Sequence, residues 1–317
     1  MNASPEIIIA RTDARFARRV AGIAFAMALT FLPGCGGDFD PASRVTDLRV
    51  LAVRADSPYA APGESVHLEA LAVDPAARAI TWGWGLCVNP ASPSAPGCLA
   101  ALDFSTVVIE KGRSTFDFAL PSDVITSLPA AAAGHAAVGT VVVACPGELA
   151  PRVGSIPFAC VDAEGRTLTS DEYVVGVKRI FARLSDKNDN PVIADVTWDG
   201  EAWLPSEIKD VAFCDESGND YGACTPSTQH RVAVAVPVSS SESGVDSLGA
   251  PFREQIIVQY YATEGMFEHD VRLASDTTTG WTARRESAGR SVTMWFVVRD
   301  DRGGVAWDQR QIRVADR

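Results

Sequence analysis

The chain has 317 residues, 47% of them hydrophobic, and carries 40 Asp and Glu against 28 Lys and Arg for a formal net charge of −12. Such acidity argues against nucleic-acid binding and against attraction to anionic lipid head groups, because phosphate recognition needs clustered Lys and Arg. There is ample apolar material for two packed domains, and past residue 35 no second apolar run is long enough to cross a bilayer.

In chain order, the first feature is an export signal. Arg11, Arg15, Arg18 and Arg19 precede the uncharged run Val20–Leu32. As a helix rising about 1.5 Å per residue, that run spans roughly 20 Å, short of a bilayer core of about 30 Å. It therefore suits the apolar region of a signal peptide. Leu32-Pro33-Gly34-Cys35 follows and resembles the lipobox of bacterial prolipoproteins, in which Leu and a small residue precede an obligatory Cys. Leu32, Gly34 and Cys35 match, while Pro33 departs from the usual small residue. The resemblance implies cleavage after residue 34 and lipid attachment, palmitate included, at Cys35. Gly36, rather than Asp, points by the same analogy to the outer membrane. The alternative is an ordinary secretory signal cut near Ala26 or Ala28.

Cysteine arithmetic favours the lipoprotein. Seven cysteines leave one odd thiol, and assigning Cys35 to lipid leaves six. These fall into near pairs, Cys87 with Cys98, Cys145 with Cys160, and Cys214 with Cys224. Six cysteines allow fifteen connectivities; spacing favours the local one. Each such bridge closes a short loop and contributes about 3 kcal/mol in the chain-entropy model. Removing residues 1–34 leaves 24 basic and 38 acidic residues, a net charge of −14.

Residues 35–45 read as a flexible polar tether. Beyond it, short β-type segments alternate with Pro-, Gly- and Asp-rich turns. Leu48–Ala55 is the first, and Val66, Leu68, Ala70 and Ala72 give the next one buried face. Ala79–Gly85 carries Trp82 and Trp84, followed by Thr106–Ile109, Thr115–Leu120, Val138–Cys145 and Tyr173–Leu184. Ser122–Ala137 is the one expected helix of this half. The second half opens with Val192–Trp198 and continues with Arg231–Val236, Gln255–Thr263 and Ser291–Arg299. The turn Asp300-Asp301-Arg302-Gly303-Gly304 then leads into Val305–Val314. Ser239–Gly249 reads as a flexible loop or a weak boundary.

This pattern predicts an all-β protein, with two immunoglobulin-like β-sandwich domains in tandem after the signal peptide, at residues 46–185 and 186–317. It resembles bacterial Ig-like and fibronectin type III modules. Leu48–Ala55 with Ala61-Pro62-Gly63-Glu64, and Val298–Trp307, are similar to segments of surface lipoproteins of myxobacteria. That resemblance implies a fold and an address, and no reaction.

Three clusters are candidate sites. Asp186-Lys187-Asn188-Asp189-Asn190-Pro191 resembles the calcium-binding linker of cadherin repeats but lacks one residue before the Pro; Asp186, Asn188, Asp189 and Asn190 are its candidate calcium ligands. A polar interdomain turn accounts for the same residues. Trp82 and Trp84 share one strand face, which is core if it turns inward and a platform for sugar or protein if outward. Asp215–Asp220, between Cys214 and Cys224, gathers carboxylates without EF-hand spacing. His67, His135, His230 and His269 have no zinc-motif spacing, and no nucleophile elbow or phosphate loop is present. The expected role is therefore non-catalytic: binding, adhesion or envelope assembly by a protein held at the outer membrane through its lipid. Envelope proteins and polysaccharides are the candidate partners. The alternatives are a carbohydrate-binding module and, more distantly, a hydrolase built on paired carboxylates.

Overall fold

Alternation of apolar and polar residues, interrupted every few residues by Gly, Pro and Asp, builds strands rather than helices. The computed structural model describes residues 41–88, 95–127, 135–151, 158–185, 187–215, 221–245 and 250–316. Cys35 and the signal region lie outside the described residues. The first half contains β1 (Arg49–Ala55), β2 (Tyr59–Ala60), β3 (Ser65–Val73), β4 (Thr81–Val88), β5 (Leu102–Lys111) and β6 (Thr115–Ala119). It continues with β7 (His135–Cys145), β8 (Glu148–Pro151), β9 (Phe158–Val161) and β10 (Val174–Arg183). The second half has β11 (Asp195–Trp198), β12 (Glu201–Ala202), β13 (Ile208–Val211), β14 (Phe213–Cys214), β15 (Gln229–Ala235), β16 (Ser243–Val245) and β17 (Pro251–Arg253). It ends with β18 (Ile257–Ala262), β19 (Met266–Phe267), β20 (Val271–Leu273), β21 (Thr279–Arg284), β22 (Ser291–Arg299) and β23 (Val305–Val314).

The two halves share one topology. In the first, the sheet β1-β3-β6 faces the sheet β2-β10-β7-β4-β5; in the second, a sheet centred on β11-β15-β21 faces β13-β23-β22-β18-β20. The short strands β2 and β13 each cross to the second sheet and pair in parallel with its last strand, β10 or β23. The other pairs that build the two facing sheets are antiparallel, apart from the short β14 on β21. This is the immunoglobulin-like arrangement. The sandwich interiors are distinct: one gathers Leu68, Trp84, Phe116 and Ile180, the other Trp203, Tyr260, Trp281 and Phe296.

Residues 40–317 nevertheless group as one compact unit. A third apolar cluster joins the sandwiches through Val45, Leu51, Ala52, Trp295, Val297 and Val305. A register shift between Val50 and Ala52 breaks the alternation of β1, so Leu51 and Ala52 are both buried. The expected tether departs from prediction over its described part. Ser43 and Val45 are buried, Arg44 pairs with Glu264 at 2.8 Å, and the backbone here bonds to Ala262. Val45 fills the seam, which holds this segment in place.

All three local disulfides form, with Cα–Cα distances of 5.3, 5.6 and 5.5 Å for Cys87–Cys98, Cys145–Cys160 and Cys214–Cys224. The first two hold loops over the outer face of the β7 sheet, where Leu102, Leu149, Phe158 and Leu168 gather around the cysteines. Two expectations need correction. Among the described residues the α-helix of the first half is Ala95–Ala100, which carries Cys98 of the first bridge; the described part of Ser122–Ala137 forms turns through Ser127, and β7 begins at His135. Ser239–Gly249 is not a boundary: its described part carries β16, which pairs with β17 as a ribbon on the second sandwich.

Gly139 on β7 lies under the first disulfide. A Cβ there would sit 2.4 Å from the Sγ of Cys87 and 2.7 Å from that of Cys98. Gly139→Ala is expected to destabilise the protein by about 1–3 kcal/mol, read as a lower urea midpoint at unchanged m-value.

Candidate functional site

The sequence-derived candidates fall in different places. Trp82 and Trp84 are 3% and 1% exposed. Their rings continue into a stack, Trp82 to Trp84 at 5.9 Å, Trp84 to Phe116 at 5.6 Å and Phe116 to Phe118 at 5.7 Å. The face turns inward because β4 packs it against β6 across the sandwich, so the pair offers no exposed platform. Trp198, Trp203 and Trp281 are likewise buried in the second core. Trp295 lies in the seam, and Arg54 stacks over Trp307 at 4.4 Å.

The acidic linker belongs to a different construction. Asp186 lies outside the described residues. Asn190 spans the junction: its Nδ2 donates to the Ala55 carbonyl at 2.7 Å, and its Oδ1 accepts the Val305 N–H at 2.8 Å. Asn188 is buried and its Nδ2 reaches Asp300 at 3.5 Å; the Asp189 N–H donates to Glu242 at 2.9 Å. Asn190 thereby spends its amide on clamping the halves, and Asp189 keeps its carboxylate at the surface. Among the described residues no group of three or more His, Cys, Asp and Glu is set to hold a metal.

Arg302 is a central positive charge at this junction. The Asp300 carboxylate accepts the N–H groups of Arg302 and Gly304 at 2.8 and 2.7 Å, closing a tight turn. Gly303 has φ of 106°, and a Cβ on Gly304 would fall 2.0 Å from Asp300 Oδ2, so both positions require glycine. The turn directs Arg302 between Tyr59 and Phe252, with ring centroids at 4.7 and 4.6 Å. Its guanidinium also donates to Glu242, Glu254 and the Lys187 carbonyl, each at 3.1 Å. Burial pushes the Glu254 carboxyl above its usual range.

Beside Arg302 opens a cleft of about 540 Å³, lined by Tyr59, Arg183, Lys187, Phe252, Arg253 and Arg302, with Glu242 and Asp301 also on its wall. Arg183 stacks over Tyr59 at 5.2 Å and Phe181 at 5.9 Å. These residues come from widely separated segments; the Asp300–Gly304 turn, the linker that carries Lys187 and the Ser239–Gly249 loop that carries Glu242 were each legible, but not their meeting. Arg183 and Arg253 gave no signal, because lone arginines at strand ends are common.

Behind the turn, Lys178 is 8% exposed and donates to the Gly303 carbonyl, while Arg299 donates to the Leu51 carbonyl and, at 2.7 Å, to Gln259. Burial, reinforced by the nearby Arg299 charge, pulls the Lys178 amine down to about 8 against the opposing influence of Asp300. The Cys214–Cys224 loop shows Asp215 paired with Arg285 at 2.8 Å; residues 216–220 lie outside the described residues. His67 pairs with Asp117 and His230 with Asp199, at 2.6 and 2.9 Å.

No protein-family model matches the chain, and no curated protein matches it. Among solved structures, the D0-D1 domain of intimin aligns over 83% of this chain and 98% of its own, at 13% identity and a TM-score of 0.21. Red sea bream transglutaminase aligns over 86% of this chain and 32% of its own, at 9% identity and 0.24. Latent dimeric PorU from Porphyromonas gingivalis aligns over 85% and 24%, at 11% and 0.21. The chain thus spans about a third or less of the last two proteins. At such scores the immunoglobulin-like assignment rests on the strand pairing alone.

Two outcomes follow from this geometry. Trp84→Ala should cost about 3–5 kcal/mol in unfolding experiments, as a core truncation does. Lys178 titrates near 8 when folded and 10.5 when free. Between those values the unfolded chain binds more protons, so this group's contribution to stability is lowest below pH 8 and rises towards pH 10.5. Relative to Lys178→Met, the native protein should gain about 3 kcal/mol across that window in urea titrations.

Proposed function

We propose that this protein is a non-catalytic binding protein of the bacterial cell envelope, held at the outer membrane by lipid on Cys35. The observation that carries the reading is the cysteine partition. All six cysteines among the described residues are paired in disulfides, which leaves Cys35 of the lipobox-like Leu32–Cys35 as the odd one. Paired cysteines suit an oxidising compartment outside the cytoplasm. Two immunoglobulin-like sandwiches joined through an apolar seam make a rigid body for presenting a surface to an envelope protein or polysaccharide. The paired histidines fit structural roles: His67–Asp117 ties two neighbouring strands at the surface, and His230 stacks on Trp198 at 4.7 Å. The signal peptide at residues 1–34 and the acylation are part of this proposal.

The test is the intact mass of detergent-extracted protein before and after reduction. The expected mass begins at Cys35, carries acyl chains and rises by about six daltons on reduction of three disulfides. Cys35→Ser should move the protein from the membrane fraction to the soluble one. An unlipidated mature mass beginning elsewhere would remove the anchor and the localisation together.

A further inference from the structure

We propose that the junction cleft is a binding site for the oxyanion, phosphate or carboxylate, of an acidic saccharide. This deepens the binding role proposed above, and it does not depend on how the protein is anchored.

The chain carries a net charge of −12, and many of its arginines are matched with carboxylates: Arg54 with Glu69, Arg78 with Asp74, Arg166 with Glu172 and Arg290 with Glu264. The cleft departs from that pattern. Arg183, Lys187, Arg253 and Arg302 line it against two carboxylates, Glu242 and Asp301. Glu242 is committed to Arg302 and to the Asp189 N–H. Among the described residues, Arg183, Lys187 and Arg253 form no ion pair; Arg253 reaches only the Ser241 hydroxyl, at 3.4 Å. Arg183 Nε is moreover buried without a hydrogen-bond partner. Arg183, Lys187 and Arg253 thus outnumber Asp301, the remaining carboxylate on the wall, and an arriving oxyanion would relieve the repulsion among them.

The geometry is preorganised for such a ligand. Tyr59 carries both the Arg183 and the Arg302 guanidinium, and Phe252 supports Arg302. Arg302 is already bonded to Glu242, Glu254 and the Lys187 carbonyl and so anchors Tyr59, while stacking on that ring holds Arg183 with its guanidinium edge left to donate, as in the grip of carboxylate or phosphate. The aromatic rings are occupied by arginines, so charge rather than ring-on-ring stacking would select the ligand. A volume of about 540 Å³ accommodates a sugar unit, and the hydroxyls of Ser185 and Ser243 on the wall suit its polar groups.

The experiment is isothermal titration of the disulfide-intact protein with glucose 1-phosphate, with glucuronate and with glucose, at two salt concentrations. Binding of at least one acidic sugar at millimolar concentration, weakened by salt and absent for glucose, is expected. Arg183→Gln with Arg253→Gln should weaken it roughly tenfold or more, and the exposed Lys187→Gln should weaken it in the same direction without risk to the fold. Preference for the phosphate or the carboxylate identifies the oxyanion. Absence of binding by both acidic sugars, equal binding of glucose, or unchanged affinity in folded variants would overturn the proposal. Membrane fractionation of Cys35→Ser reads the anchoring separately, so failure of one reading leaves the other standing.

Discussion

The apolar seam between the sandwiches is the contact on which the remainder of the junction depends. The outer face of an immunoglobulin-like sheet normally meets water, yet here Trp295, Val297 and Val305 are buried against Leu51, Ala52 and Val45. Each large apolar side chain removed from water contributes about 1.5–3 kcal/mol. A handful of them fixes the two bodies at a single relative position. The bulge at Leu51 matters because a regular strand would present only alternate residues to the second sandwich. With the seam in place, the β22–β23 turn is held against the linker, and Arg302 reaches the first sandwich's Tyr59.

Polar groups at the seam then refine what burial begins. Lys178 and Arg299 lose water and recover hydrogen bonds from the Gly303 and Leu51 carbonyls and from Gln259. Neutral acceptors offset only part of the desolvation of a cation. The depressed Lys178 titration reflects that residual cost. Because carbonyl partners demand one geometry, misdocked arrangements would leave these cations unsatisfied. The apolar contacts supply affinity between the halves, and the buried cations penalise alternatives to this docking.

Much of the architecture was legible in the residues. Alternation placed β3, β15 and β22, the Asp300–Gly304 turn marked the start of β23, and cysteine spacing anticipated three local bridges. Failures came where burial was two-sided or where distant segments met. β21 escaped notice because all but its last residue are buried and Gly280 interrupts it; a Cβ at Gly280 would strike the Tyr221 hydroxyl at 2.2 Å. Pattern could not decide which way Trp82 and Trp84 faced, since both readings place them on the same side of β4. The Asn/Asp-rich linker was visible as polar and turn-forming. Its actual work, joining Ala55 to Val305 through Asn190, depends on residues more than a hundred positions away on either side.

The two sandwiches also show one topology meeting one problem by different means. In both, the sheet containing β7 or β22 is apolar on each face, as the buried runs Val138–Cys145 and Met294–Val298 show. In the first sandwich the outer face is covered by loops stapled through Cys87–Cys98 and Cys145–Cys160. In the second it is covered by the first sandwich itself. Local disulfides suit the first solution because short loops bury too little surface to hold themselves down. The second solution has a further consequence: it brings two chain segments with stacked arginines to one edge. A cationic cleft can thus form on an acidic protein without any basic run in its sequence, because charge is concentrated there by docking rather than by composition.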